Sequence, residues 1–171
     1  MAHEFAIDSA RELSRSHSSV TPKEIRYKRC RFTTRLRDDR LYTAGHYWLE
    51  PEEEGLWRVG YTRFAMRMLG EVVDLDFDTK IGATIERGQV LGWLEGFKAI
   101  TDIFAPVAGQ FEGANPALDT DIGLLTTDAH GGGWLFKVRG NPEDQVLDVQ
   151  GYISLLDATI DNMIGDDDES S

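Results

Sequence analysis

Cysteine is almost missing from this chain. The single one, Cys30, excludes an intrachain disulfide and any zinc site built on several thiolates. Histidine is nearly as scarce. His3, His17, His46 and His130 are scattered without the spacing of a metal site. No apolar run approaches the length that spans a bilayer. No serine sits in a nucleophile-elbow pattern, and Gly131-Gly132-Gly133 lacks the Lys-Ser or Lys-Thr that completes a phosphate loop. Positive charge is in deficit: 18 basic side chains stand against 30 acidic ones, a net charge of -12. That balance argues against general nucleic-acid binding. The first residues, MAHEFAIDSARELSRS, carry early acids and no apolar core of a signal peptide, so the expected location is cytoplasmic, away from membranes.

What is present suits one folded domain. The chain has 171 residues, 41% of them hydrophobic, enough for a sizeable core. Residues 1–40 are read as a basic polar extension, with a frayed helix over Ala10 to Arg15. Residues 41–165 are read as the compact domain and 166–171 as an acidic tail. The ordinary reading of the basic and acidic runs is solvated surface. The sharper reading packs the basic arm on the acidic body or on an acidic partner.

The compact part reads as short strands with glycine punctuation. Tyr42 to Leu49 reads as a strand, Pro51 to Gly55 as a turn, and Leu56 to Tyr61 as a returning strand. Thr62 offers an N-cap for a short helix that Gly70 stops, with Met66 and Met68 as core filler. Further strands are predicted near Val72–Phe77, Val90–Glu95, Ile100–Phe104, Gly109–Ala114 and Trp134–Val138. An apolar stripe of Val146, Val149, Tyr152, Ile153, Leu156 and Ile160 predicts a C-terminal helix, weakened at Gly151 and ended by Gly165. The expected class is mainly β: a flattened barrel-sandwich hybrid of two small antiparallel sheets, with a short helix after the first hairpin and a C-terminal helix.

No catalytic set assembles from these residues. The pairs Asp119/Asp121 and Asp76/Asp78 read as solvated carboxylates. Lys98 stands alone in a predicted turn, within Glu95-Gly96-Phe97-Lys98-Ala99-Ile100-Thr101-Asp102. No neighbouring cation activates it as a nucleophile. It reads either as an ordinary surface lysine or as one that another enzyme modifies. The chain therefore looks like a carrier or binding module and not an enzyme.

The stretch Glu95 to Asp102 resembles the lipoylation motif of the glycine cleavage system H-protein family, usually Glu-Ser-Val-Lys-Ala. His46-Tyr47-Trp48, Leu69-Gly70-Glu71-Val72-Val73, Asp102 to Gly109, Asn115-Pro116-Ala117-Leu118 and Gly132 to Lys137 resemble further motifs of that family, in the same order. The resemblance covers about 41–160 and implies a non-catalytic, monomeric carrier of lipoate. Lys98 would hold the lipoate in amide linkage, with Glu95 read by the lipoyl-attaching enzyme. Ala99 would keep the tip uncrowded, and Gly109 would let the chain turn back eleven residues later. The implied partners are a pyridoxal-phosphate glycine decarboxylase, a folate-dependent aminomethyltransferase and dihydrolipoyl dehydrogenase. The loaded arm of the family folds into a groove, for which His46 to Glu50 and Leu69 to Glu71 are the candidate walls.

Three features depart from the family pattern: Gly96-Phe97 before the lysine, Tyr47 where a glutamate is usual, and the long basic extension. Two alternatives stay open from the residues: a lipoyl carrier serving another pathway, such as sulfur-compound oxidation, and a structural or regulatory β module without the cofactor.

Overall fold

A computed structural model describes residues 21–142 and 146–169. The helix expected over Ala10 to Arg15 lies outside these residues. Among the described residues, twelve strands form three antiparallel sheets. The largest contains β3 (Leu41–Thr43), β4 (Tyr47–Glu53), β5 (Leu56–Tyr61), β7 (Thr84–Ile85), β10 (Gly109–Ala114), β11 (Phe136–Arg139) and β12 (Val146–Leu147), in the order β12-β3-β4-β5-β11-β10-β7. A three-stranded sheet contains β6 (Val72–Phe77), β8 (Val90–Gly96) and β9 (Ile100–Phe104), in the order β6-β8-β9. β1 (Glu24–Arg29) and β2 (Phe32–Arg37) pair with each other as a hairpin. Helix α1 (Arg63–Leu69) follows the β4–β5 hairpin, α2 (Ala117–Thr120) and α3 (Leu124–Thr127) are single turns, and α4 (Val149–Glu169) ends the described chain. The fold is mainly β, with the short helix and the C-terminal helix where the sequence places them.

Strand alternation sends side chains to two cores. On one side Leu41, Leu49, Val59 and Val138 meet Leu91, Leu94 and Ile103 of the three-stranded sheet. On the other, Tyr42 and Trp48 meet Tyr152, Leu156 and Ile160 of α4 and Tyr27, Phe32 and Leu36 of the β1–β2 hairpin. The helix thus covers the open side of the large sheet, as the apolar stripe predicts.

Several elements differ from the sequence reading. The stretch 42–49 is two strands, because Gly45-His46 turn the chain between them and His46 has φ 65°. Pro51 continues β4, so the turn narrows to Glu54-Gly55. Residues 24–37, read as part of a polar extension, form a hairpin with Tyr27, Phe32 and Leu36 buried on one face. Val146 and Leu147 pair with β3 instead of opening the helix. The α4 helix runs through Gly165 to Glu169, and its start is fixed by Asp148, whose Oδ1 accepts the Gly151 N–H at 2.7 Å. Glycine 151 therefore sits in the first turn, where its weak propensity costs little. Met66 is buried as expected, but Met68 is 43% exposed.

Candidate functional site

The β8–β9 connection is a tight turn. The Gly96 N–H donates to the Ala99 carbonyl at 2.9 Å, while Glu95 pairs with Ile100 in register. This turn docks on the end of α1. The Phe97 N–H donates to the Glu71 carbonyl at 2.9 Å, and the Lys98 N–H to the Leu69 carbonyl at 3.0 Å. Thr62 caps the start of α1 by accepting the Ala65 N–H, and Gly70 ends it with φ 78°. The Lys98 ammonium donates to the Arg67 carbonyl at 3.3 Å, within the last turn of α1 where backbone carbonyls carry partial negative charge.

Lys98 is therefore presented, not buried. Phe97, Lys98, Ala99 and Ile100 are all exposed. Glu95 is half-buried on β8, and its carboxylate has no hydrogen-bond or ion-pair partner among the described residues. Glu95, Lys98 and Ala99 thus share one turn. Gly109 lies apart from them, opening β10 against β11. A β-carbon there would approach the Arg139 carbonyl oxygen to 2.0 Å, so its role in this structure is close strand approach.

Beside the turn runs an apolar groove of about 410 Å³. Its walls come from His46 and Tyr47, from Phe64, Met68 and Leu69 of α1, and from Thr159 and Met163 of α4. Of the family-based candidates, His46, Tyr47 and Leu69 line it; Gly70 and Glu71 do not. Trp48 and Leu49 are in the core, and Glu50 pairs with Arg37 at 3.1 Å on another face. The sequence reading missed Phe64, Met68, Thr159 and Met163. Phe64 and Met68 stand in the apolar stripe of α1 that the sequence reading assigned to the core; for Thr159 and Met163 there was no signal short of the folded arrangement.

The groove's polar groups are tied down. The Tyr47 and Tyr61 rings stack at 4.6 Å, their hydroxyls lie 3.0 Å apart, and Tyr47 Oη also accepts the Phe104 N–H at 2.8 Å. Burial pushes both phenols above their ordinary pKa. His46 Nδ1 lies 2.9 Å from the Tyr152 hydroxyl, which in turn lies 2.7 Å from Thr62 Oγ1. Burial lowers the His46 pKa to about 4, so the ring is neutral. Asp102 is the one carboxylate among the lining residues described.

A profile of the family described as "Glycine cleavage H-protein" matches residues 40–155. The chain belongs to that family. Glycine cleavage system H protein from Shewanella sp. (strain ANA-3) is 35% identical over 119 residues, which cover 68% of this chain and 92% of that protein. The H protein from Klebsiella pneumoniae subsp. pneumoniae is 37% identical over 119 residues, with the same shares. The crystal structure of a glycine cleavage system H protein from Mycobacterium marinum superposes with a TM-score of 0.63 at 32% identity, covering 70% of this chain and 97% of that one. The family is the non-catalytic lipoyl carrier of glycine cleavage. Against that H-protein core, the β1–β2 hairpin and the last two thirds of α4 lie outside the matched residues.

Proposed function

We propose that this H protein carries its lipoyl group on Lys98 and serves the glycine cleavage enzymes as their shuttle. The observation that supports the reading is one arrangement: an exposed lysine at a tight turn, beside a groove of about 410 Å³ with mostly apolar walls. That pairing suits an apolar group joined by a neutral amide.

Lipoate on this site would supply a dithiolane that takes up and hands on the aminomethyl group of glycine. The chain's own residues supply position and shelter. The Gly96–Ala99 turn holds the attachment point at the molecule's edge. Amide formation removes the lysine charge and with it the charge-assisted hold on the Arg67 carbonyl. Phe64, Met68 and Leu69 give the groove a wall that excludes water, and Asp102 offers a negative charge to an amine within it. The Glu95 carboxylate, without a partner among the described residues, is available to the lipoyl-attaching enzyme. The proposed partners are the pyridoxal-phosphate glycine decarboxylase, the folate-dependent aminomethyltransferase and dihydrolipoyl dehydrogenase, with the carrier a monomer in the cytoplasm. No described helix is long and apolar enough to cross a membrane.

The test combines peptide mass mapping of protein made in a lipoylating cell with glycine-dependent carbon dioxide exchange. One lipoyl amide on Lys98, its loss in Lys98→Arg with an unchanged circular dichroism spectrum, and exchange with a cognate decarboxylase are expected. Lipoylation that persists in Lys98→Arg overturns the attachment site. A loaded carrier that supports no exchange overturns the pathway.

A further inference from the structure

A second concavity lies away from the groove, between the β1–β2 hairpin and the loop after α3. Its volume is about 790 Å³, in the range of small-molecule sites. Arg26, Arg35, Arg37, Arg40, Arg63 and His130 line it, against the carboxylates of Glu24 and Asp128. This concentration of guanidinium groups stands in a chain of net charge -12.

The cations there are incompletely neutralised. Arg35 pairs with Glu24 at 3.3 Å, and Arg37 with Asp39 and Glu50. Arg26 and Arg63 have no ion-pair partner among the described residues. Arg40 is only 3% exposed and stacks on the Trp48 ring at 4.3 Å. Among the described residues its one carboxylate contact is a 3.6 Å approach to Glu50, which Arg37 and Arg58 share, and its Nε has no hydrogen-bond partner. Burial disfavours its charge accordingly. Thr34, 6% exposed on the same wall, has an unpartnered hydroxyl. A buried guanidinium so poorly compensated is costly unless an anion completes it.

We propose that this cleft binds a small molecule bearing a phosphate or diphosphate group. Guanidinium forks match phosphate oxygens in pairs, and a cavity this large exceeds the needs of a simple halide. His130 sets the cleft's shape. Its Nε2 accepts the Arg63 backbone N–H at 3.0 Å, which leaves Nδ1 to donate to the Arg35 carbonyl at 3.1 Å. The imidazole thereby ties the hairpin edge to the start of α1. Arg26, Arg35 and Arg37 fall outside the family match at 40–155, while Arg40, Arg63 and His130 fall inside it, so the cleft forms where the added hairpin meets the carrier core.

The test is a titration of the full chain with inorganic pyrophosphate at constant ionic strength, followed by backbone amide NMR and calorimetry. Saturable shifts at Arg35, His130 and Gly131 are expected, with affinity falling at least about tenfold in Arg26→Ala/Arg63→Ala. Both of these arginines are exposed, so the double variant keeps its fold. Absence of saturable shifts up to about 10 mM pyrophosphate overturns the proposal, as does undiminished affinity in the double variant. Equally tight binding of citrate overturns the phosphate class. None of these readouts depends on Lys98 or on lipoylation.

Discussion

Gly96 sits directly beneath the Leu69 carbonyl: a β-carbon at 96 would approach that oxygen to 2.2 Å. The glycine that departs from the usual family serine is therefore a packing requirement here, where the lysine turn meets α1. Gly96→Ser, which restores the commoner motif, must push the turn away from α1. A loss of about 1–3 kcal/mol in unfolding free energy is expected, read by urea denaturation. A variant as stable as the parent would show that the turn shifts at no cost.

Tyr47, at the position where the resemblance leads one to expect a carboxylate, is a phenol that bridges Tyr61 and the Phe104 N–H. Tyr47→Phe leaves that N–H without its acceptor and should cost about 1–2 kcal/mol. Both phenols have pKa values raised above 10.0 by burial, so the unfolded chain ionises first as pH rises. The unfolded state then binds fewer protons and stability falls. Melting temperature should drop as pH rises beyond about 10, and less steeply in Tyr47→Phe.

His46 and His130 act at the other end of the scale. Burial depresses each from 6.5 to about 4, with Arg40 and Arg63 adding to the shift at His130. The stability tied to their neutral forms is fully present above 6.5. It is lost as pH falls through the interval down to about 4, because the unfolded chain takes up the protons first. Imidazole carbon shifts in NMR should show both rings neutral at about pH 5. Titration of either near its ordinary value would contradict the burial described.

The β1–β2 hairpin is held to the helices by two kinds of contact, an ion pair to α4 and a ring contact to Phe64 of α1. Arg29 forks onto Asp161 at 2.8 and 2.7 Å, but these side chains are 38% and 53% exposed. Phe32 is buried, with its ring edge-on to Phe64 at 5.4 Å. Solvent screening should leave Arg29→Ala with much the smaller loss, whereas Phe32→Ala should cost about 3–5 kcal/mol. Chemical denaturation of the two variants decides between charge and packing as the clasp; equal losses would refute the ranking.

Local signals were readable in the sequence where one stretch carried the whole message. Thr62 and Gly70 bracket α1, and Glu95 to Ile100 mark the lysine turn. The β1–β2 hairpin was obscured because its apolar half is only Ile25, Tyr27, Phe32 and Leu36 among eight cations between Lys23 and Arg40. The one-turn helices α2 and α3 are too short for a period to show. The groove walls come from residues near 46, 65, 102 and 160, and the arginine cleft from residues near 26–40, 63 and 130. No linear pattern unites such sets; chain folding alone brings them together.

Thr159 and Met163 stand on the groove side of α4, while Asp157 and Asp161 of the same two turns hold Tyr27 at 2.8 Å and Arg29. The outer wall of the groove is thus a cantilever, anchored at Tyr152 and buttressed midway along by the β1–β2 hairpin. Loosening the hairpin would let that beam swing, and a cargo held beneath it would meet water sooner.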